Sequence, residues 1–161
     1  MNVALVFGGL AVVLFVSAFI TRRRFGLLGL ALASGSILSG IWGYDAGLVV
    51  SSVGIFRSGP LTTAGTLSAI VLLPAVLLLF HGYAYKSMVG RIFGALLFSL
   101  LAMAFLVEPL GHALLLEGAG VDVYAKLVAN REAIIGIGMV LAVIDLFFTK
   151  PAHLAEKKGK H

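Results

Sequence analysis

Hydrophobic residues fill this chain in five long blocks, each closed by a short polar interruption. Val3 to Ile20 runs eighteen residues without a charge and stops before Arg22, Arg23 and Arg24. Phe25 to Tyr44 adds twenty more and ends on Trp42 and Tyr44, amphipathic rings suited to a membrane–water interface. Leu61 to Tyr83 is a third block, interrupted by Pro74 and marked at its end by His81, Tyr83 and Tyr85. Ile92 to Val107 is a short fourth between Arg91 and Glu108. Ala133 to Thr149 is the fifth, with Asp145 inside it and Lys150 and Pro151 behind it. A hydrocarbon core about 30 Å thick takes about 17–25 residues of helix to cross, so the blocks read as transmembrane spans.

Two connecting stretches are too apolar for plain loops and too short to cross as helices: residues 45–57 (DAGLVVSSVGIFR) and 109–121 (PLGHALLLEGAGV). Segments of that kind lie in the interface or re-enter the bilayer against protein. The pattern therefore predicts an all-α transmembrane helix bundle over residues 1–149, with five spans and two short interfacial or re-entrant segments. A basic, solvated tail follows over 150–161.

Charge then orients the bundle. Nine of the twelve Lys and Arg residues fall in three clusters, at 22–24, at Lys86 and Arg91, and at Lys150, Lys157, Lys158 and Lys160; Arg57, Lys126 and Arg131 lie elsewhere. Those clusters sit at the ends of alternate spans, and cytoplasmic loops hold such an excess. The N-terminus is thus expected outside and the C-terminus in the cytoplasm. The segment MNVALVFGG has no positive n-region, and no small-residue cleavage site precedes the arginines, so residues 3–20 read as a retained span. The composition agrees: 60% hydrophobic and 12% charged, against about 25% charged in soluble domains. The net charge of +5 then reads as the positive-inside excess, which also meets anionic headgroups, and not as a nucleic-acid surface. Without cysteine the chain has no disulfide, thiolate metal site or cysteine nucleophile.

The second span carries the clearest pattern. Gly26, Gly29, Ala33, Ser36, Gly40 and Gly43 recur every three or four residues, and Ala31, Gly35, Ser39 and Gly43 recur every four. Small residues let helices approach closely, so Gly29, Ala33, Ser36 and Gly40 are expected at a helix–helix seam. The seam is either packing within one bundle or an oligomeric or pore-lining surface. Asp145 is the one carboxylate inside a span, and intramembrane acids are functional candidates by default. Gly138, Ala142 and Thr149 share its helix face, which points it into the bundle; pairing with Lys150 is the other reading. Asp45, Glu108 and Glu132 lie at outer span ends, as wetted boundaries or as a cation-attracting ring. His81 reads as an interfacial anchor, and His112 adds little.

No catalytic residue is indicated. The chain lacks H-E-x-x-H, G-x-S-x-G and a phosphate-binding glycine loop, and no span sets a histidine base beside the serines of GSILSG. No metal site and no cofactor are expected. The expected partners are membrane lipids, a second copy of the chain, or other membrane proteins.

The order of features nevertheless resembles a known family. RRRFGLLGLALASGSILSG after a short first span, an apolar interfacial segment, a third span and then VGRIFGALLFSLLAM is similar to the colicin V production (CvpA) family of small bacterial inner-membrane proteins. That family carries a motif of the form Asp-Arg-x-x-Gly-x-x-x-Gly before its fourth span. Arg91 and Gly94 match its Arg and first Gly, whereas Gly90 stands in place of its Asp and Phe98 in place of its second Gly. The resemblance covers residues 1–108. It implies a role in toxin production or export and in envelope homeostasis, with no cofactor. A small oligomeric channel or transporter lined by span two and Asp145, and an anchor subunit of a larger complex, are the alternatives.

The orientation is testable by single-cysteine labelling in a chain that has no native cysteine. Cysteine at Asn2 or Asp122 is expected to react with an impermeant reagent from outside, and cysteine at Ser87 is not. External labelling at Ser87 reverses the orientation.

Overall fold

A helix satisfies its own backbone hydrogen bonds, the condition a hydrocarbon environment imposes. The computed structural model describes residues 3–52, 59–81, 84–85, 87–111 and 121–148, and places nearly all of them in helices. These are α1 (Val3–Thr21), α2 (Phe25–Ser52), α3 (Pro60–Phe80), α4 (Met88–Gly111), α5 (Val121–Ala129) and α6 (Arg131–Phe147). The fold is an all-α bundle. By length and hydropathy α2, α3 and α4 can each cross a membrane, and α5 with α6 makes a fourth if the pair, bent by 62°, is counted as one span. α1 is a shorter apolar helix. These helices mark a membrane protein.

Residues 45–52 differ from the expectation of a separate interfacial segment, because α2 continues through them without a break. No proline stops the helix there, and continuing it pairs backbone groups that a turn would leave open. Residues 53–58 lie outside the described residues. Of the second apolar stretch, Pro109 to Gly111 complete α4, Val121 opens α5, and residues 112–120 lie outside the description. So does the tail from Thr149 onward.

α4 is the central helix. From Leu101 to Val107 every residue is buried, the pattern of a helix surrounded on all sides. α1 runs antiparallel along it, and Ser99 Oγ donates to the Ala11 carbonyl at 2.9 Å across that contact. α2 packs along α3 over most of its length and meets α4 and α6 on its other sides. Phe25, Leu28, Leu32, Val71, Phe98, Leu101, Leu106 and Val107 are the largest fully buried side chains. α3 presents one stripe inward, Ala64, Val71, Ala75 and Leu79. It opens with Pro60 at its first turn, where the missing N–H costs nothing, and Pro74 inside it leaves the Ile70 carbonyl without its helical donor. At the α5–α6 corner Tyr124 stands edge-on to Phe7, ring centroids 5.5 Å apart, and its hydroxyl donates to the Val107 carbonyl.

The α2–α3 contact is closest at Gly35, where a Cβ would run into the Val71 carbonyl and its own backbone. Backbone cannot swing aside. Gly35→Ala is therefore expected to destabilise the fold by about 1–3 kcal/mol, the usual cost of overpacking. Gly40→Ala, with nothing within 4 Å of its Cβ position, is expected to be neutral or slightly favourable. Thermal unfolding in detergent measures both, and equal midpoints for the two variants contradict the packing.

Candidate functional site

An α-helix leaves its last four carbonyls and first four amides without partners, with partial negative charge at the first set and positive at the second. At one end of this bundle α1, α3 and α6 finish while α2 and α4 begin, so five such sets come together. The polar residues there are matched to them. Arg23 donates through Nε to the Leu79 carbonyl at 2.9 Å and through a terminal nitrogen to Phe80 at 2.8 Å, both in the last turn of α3. Arg91 donates to the Phe19 carbonyl in the last turn of α1 at 3.0 Å, and its guanidinium lies over the Phe19 ring, 4.4 Å from the centroid. Arg24 reaches the Asp145 carbonyl in the last turn of α6 at 3.3 Å.

The opposite charge sits at the opposite kind of terminus. Asp145 Oδ2 accepts from the Gly26 amide at 2.9 Å, and the Tyr85 hydroxyl oxygen accepts from the Phe25 amide at 3.2 Å. Phe25 and Gly26 are the first two residues of α2, so a carboxylate from α6 and a phenol from the α3–α4 connection cap α2 from outside its own segment. Arg24 also lies over the Tyr85 ring, 5.4 Å from its centroid. Burial pushes the Tyr85 hydroxyl above its ordinary value of 10.0, opposed by the Phe25 amide and reinforced by the Asp145 charge. The phenol thus stays protonated and donates to Asp145 while accepting from Phe25.

Backbone pairing ties the two connections together. Tyr85 N donates to the Arg22 carbonyl at 2.8 Å, and Arg23 and Ala84 form an antiparallel bridge. Arg22 turns the chain between α1 and α2 with φ 57°, the left-handed region that side chains other than glycine's rarely adopt. Close approach sets the glycines. A Cβ on Gly94 would meet Tyr85 Cε2 at 2.5 Å, and one on Gly26 would meet the Ala142 carbonyl at 2.5 Å. On Gly90 it would meet Ser87 Oγ and Tyr85 Cδ1, each at 2.9 Å.

The residues singled out in the sequence are distributed as follows. Asp145 faces the bundle from the same side of α6 as the buried Gly138 and Ala142. Lys150 lies outside the described residues. Gly29 packs against Ala142 and Leu101, and Ala33 is half-buried against the core. Ser36 and Gly40 line a cavity with Ser39 and Glu108 toward the other end of the bundle. Gly40 does not belong to the close seam, because its face of α2 opens onto that cavity; Gly26, Gly29, Gly35 and Gly43 make the tight contacts. Arg91 and Gly94 both serve the arginine end. Asp45, Glu132 and His81 are exposed, Glu108 pairs with Arg131, and His112 lies outside the described residues. Among the described residues no three His, Asp or Glu side chains gather around one point as a metal would need. Comparison of the chain with protein-family models, curated proteins and solved structures gives no match.

The trans cap has a stability signature. Asp145→Ala is expected to cost about 1–2 kcal/mol, the range for a lost N-cap, and Asp145→Asn less, since its amide oxygen can still accept from Gly26. Thermal unfolding of the two variants measures the difference. An Asn variant as damaged as the Ala variant points to the charge and not to the cap.

Proposed function

We propose that this chain is a non-enzymatic accessory protein of the bacterial cytoplasmic membrane, crossing it five times with its N-terminus outside, and acting in toxin export or envelope homeostasis by assembling with other membrane proteins. The observation that carries this reading is the use made of Asp145. The single acid inside a span is engaged by the Gly26 amide at the start of α2, a structural task. The grooves between α2 and α3 and between α4 and α6 are almost wholly apolar, and Asp145 lines neither. The arginine end then lies in the cytoplasm, and the resemblance to the CvpA family supports the role. Arg91 and Gly94, which match that family's motif, both act at this end, one on the Phe19 carbonyl and one under the Tyr85 ring. Large apolar side chains such as Ile37, Ile41, Leu73 and Phe147 are exposed to lipid or to a partner's helices.

The channel alternative has one feature in its favour, the polar cavity at Ser36, Ser39 and Glu108. Thirteen residues of α2 separate Ser39 from Gly26, about 20 Å at the helical rise, so Asp145 and this cavity do not form one site. Purification in native lipid with mass measurement of the intact assembly is expected to recover a membrane-protein partner in fixed ratio. Reconstituted protein is expected to give no ion flux above empty liposomes. Flux through the wild-type protein that Asp145→Asn abolishes would overturn this reading in favour of a channel.

A further inference from the structure

At the end of the bundle opposite the arginines, α2, α3 and α4 border a cavity of about 190 Å³ that is open on one side. That is room for about six waters at 30 Å³ each, or for one small solute. Its polar lining accepts hydrogen bonds more than it donates them. Ser36 and Ser39 contribute two hydroxyls that bond to no other described residue, although serines elsewhere in these helices, Ser17 and Ser34, donate to the carbonyl four residues back. Phe105 and Pro109 also line it, and Pro109 supplies no N–H to the Phe105 carbonyl. Glu108 completes the set. Arg131 engages its Oε2 alone, so Oε1 keeps its lone pairs.

We infer that this cavity binds one small monovalent cation, an alkali ion or a primary ammonium group. The chemistry of the lining makes the selection. One carboxylate, already shared with an arginine, and three neutral oxygens are too little charge for Ca²⁺, which takes six to eight oxygens with several carboxylates among them. An anion would face Glu108, and Arg131 does not line the cavity. A quaternary ammonium has no N–H to give the hydroxyls and is too bulky to share the space with its hydration. The site needs no conduction path and stands apart from the role of Asp145. A bound cation bridges α2 and α4 through oxygens that otherwise have no donor between them, so it stabilises the bundle when present.

The experiment uses the full chain in phosphatidylcholine nanodiscs, with thermal unfolding followed as sodium, potassium or ethylammonium replaces choline at constant ionic strength. A saturable rise in midpoint with at least one of the three small cations is expected, and no difference among all four overturns the proposal. Glu108→Gln is expected to abolish the rise. Ser36→Ala with Ser39→Ala is expected to raise the half-saturating concentration about tenfold, and this pair leaves the Glu108–Arg131 contact in place should Glu108→Gln fold poorly. Glu132→Gln, exposed at the start of α6, is expected to behave as wild type. Saturation unchanged in the serine double variant places the cation elsewhere and overturns the proposal. A midpoint raised by phosphatidylethanolamine nanodiscs in choline alone identifies the source as a lipid headgroup, and one raised only by added salt identifies a free ion; either result requires the same residues.

Discussion

Three arginines hold the ends of three helices. Arg23 on α3, Arg24 on α6 and Arg91 on α1 each put a guanidinium on carbonyls that an α-helix cannot satisfy for itself. A cation at a helix C-terminus gains about 0.3–1 kcal/mol from the aligned peptide dipoles, and up to about 2 kcal/mol where it is partly buried. The sum matters less than the geometry. Arg23 and Arg24 belong to the turn that opens α2, and Arg91 belongs to the first turn of α4. Each contact therefore joins the start of one helix to the end of another, and can form only if those helices lie antiparallel and level. The two outgoing helices thereby fix the depth of the three incoming ones.

The rest of the packing follows from that constraint. Bringing Asp145 onto the Gly26 amide sets α6 against the first turn of α2, where a Cβ on Gly26 would meet the Ala142 carbonyl at 2.5 Å. A glycine is required there because of the cap. Tyr85 caps the neighbouring amide, and its ring then packs closely against α4, which Gly90 and Gly94 allow. Further along α2 the same approach continues onto α3 at Gly35 and Gly43. With lipid as solvent there is no hydrophobic drive between helices, so close backbone contact and polar ties at the helix ends carry the association. α4, surrounded on all sides from Leu101 to Val107, is the helix against which the others are indexed.

The all-α bundle was legible from sequence because block length and hydropathy are one-dimensional properties. So was the inward face of Asp145, since Gly138 and Ala142 share its helical phase. The continuation of α2 through residues 45–52 was not, because Asp45 reads as a boundary and an exposed acid within a longer helix leaves the same trace. Gly40 was misplaced for a related reason. Spacing of three and four puts a residue on a face, but whether that face meets a helix or a cavity depends on where α3 and α4 diverge. The arginine contacts were the least legible part. RRR is readable as a topology signal from charge alone, whereas the partners of Arg23 and Arg24 lie 56 and 121 residues away. Tyr85 carries no periodic or motif signal and acquires its role only when two connections are brought together.

The same residues therefore bear on insertion and on folding, through different physics. During insertion an arginine costs too much to carry across the hydrocarbon, which keeps its end of the span on one side regardless of what it later touches. Once several spans stand side by side, all their C-termini on that side present unpaired carbonyls at the same depth as the retained arginines. The charge expected to set orientation is then already in position to cap its neighbours. A lysine would serve the first purpose equally well. The second favours arginine, whose planar fork reaches Leu79 and Phe80 together from one side chain, which a single ammonium point charge does less well.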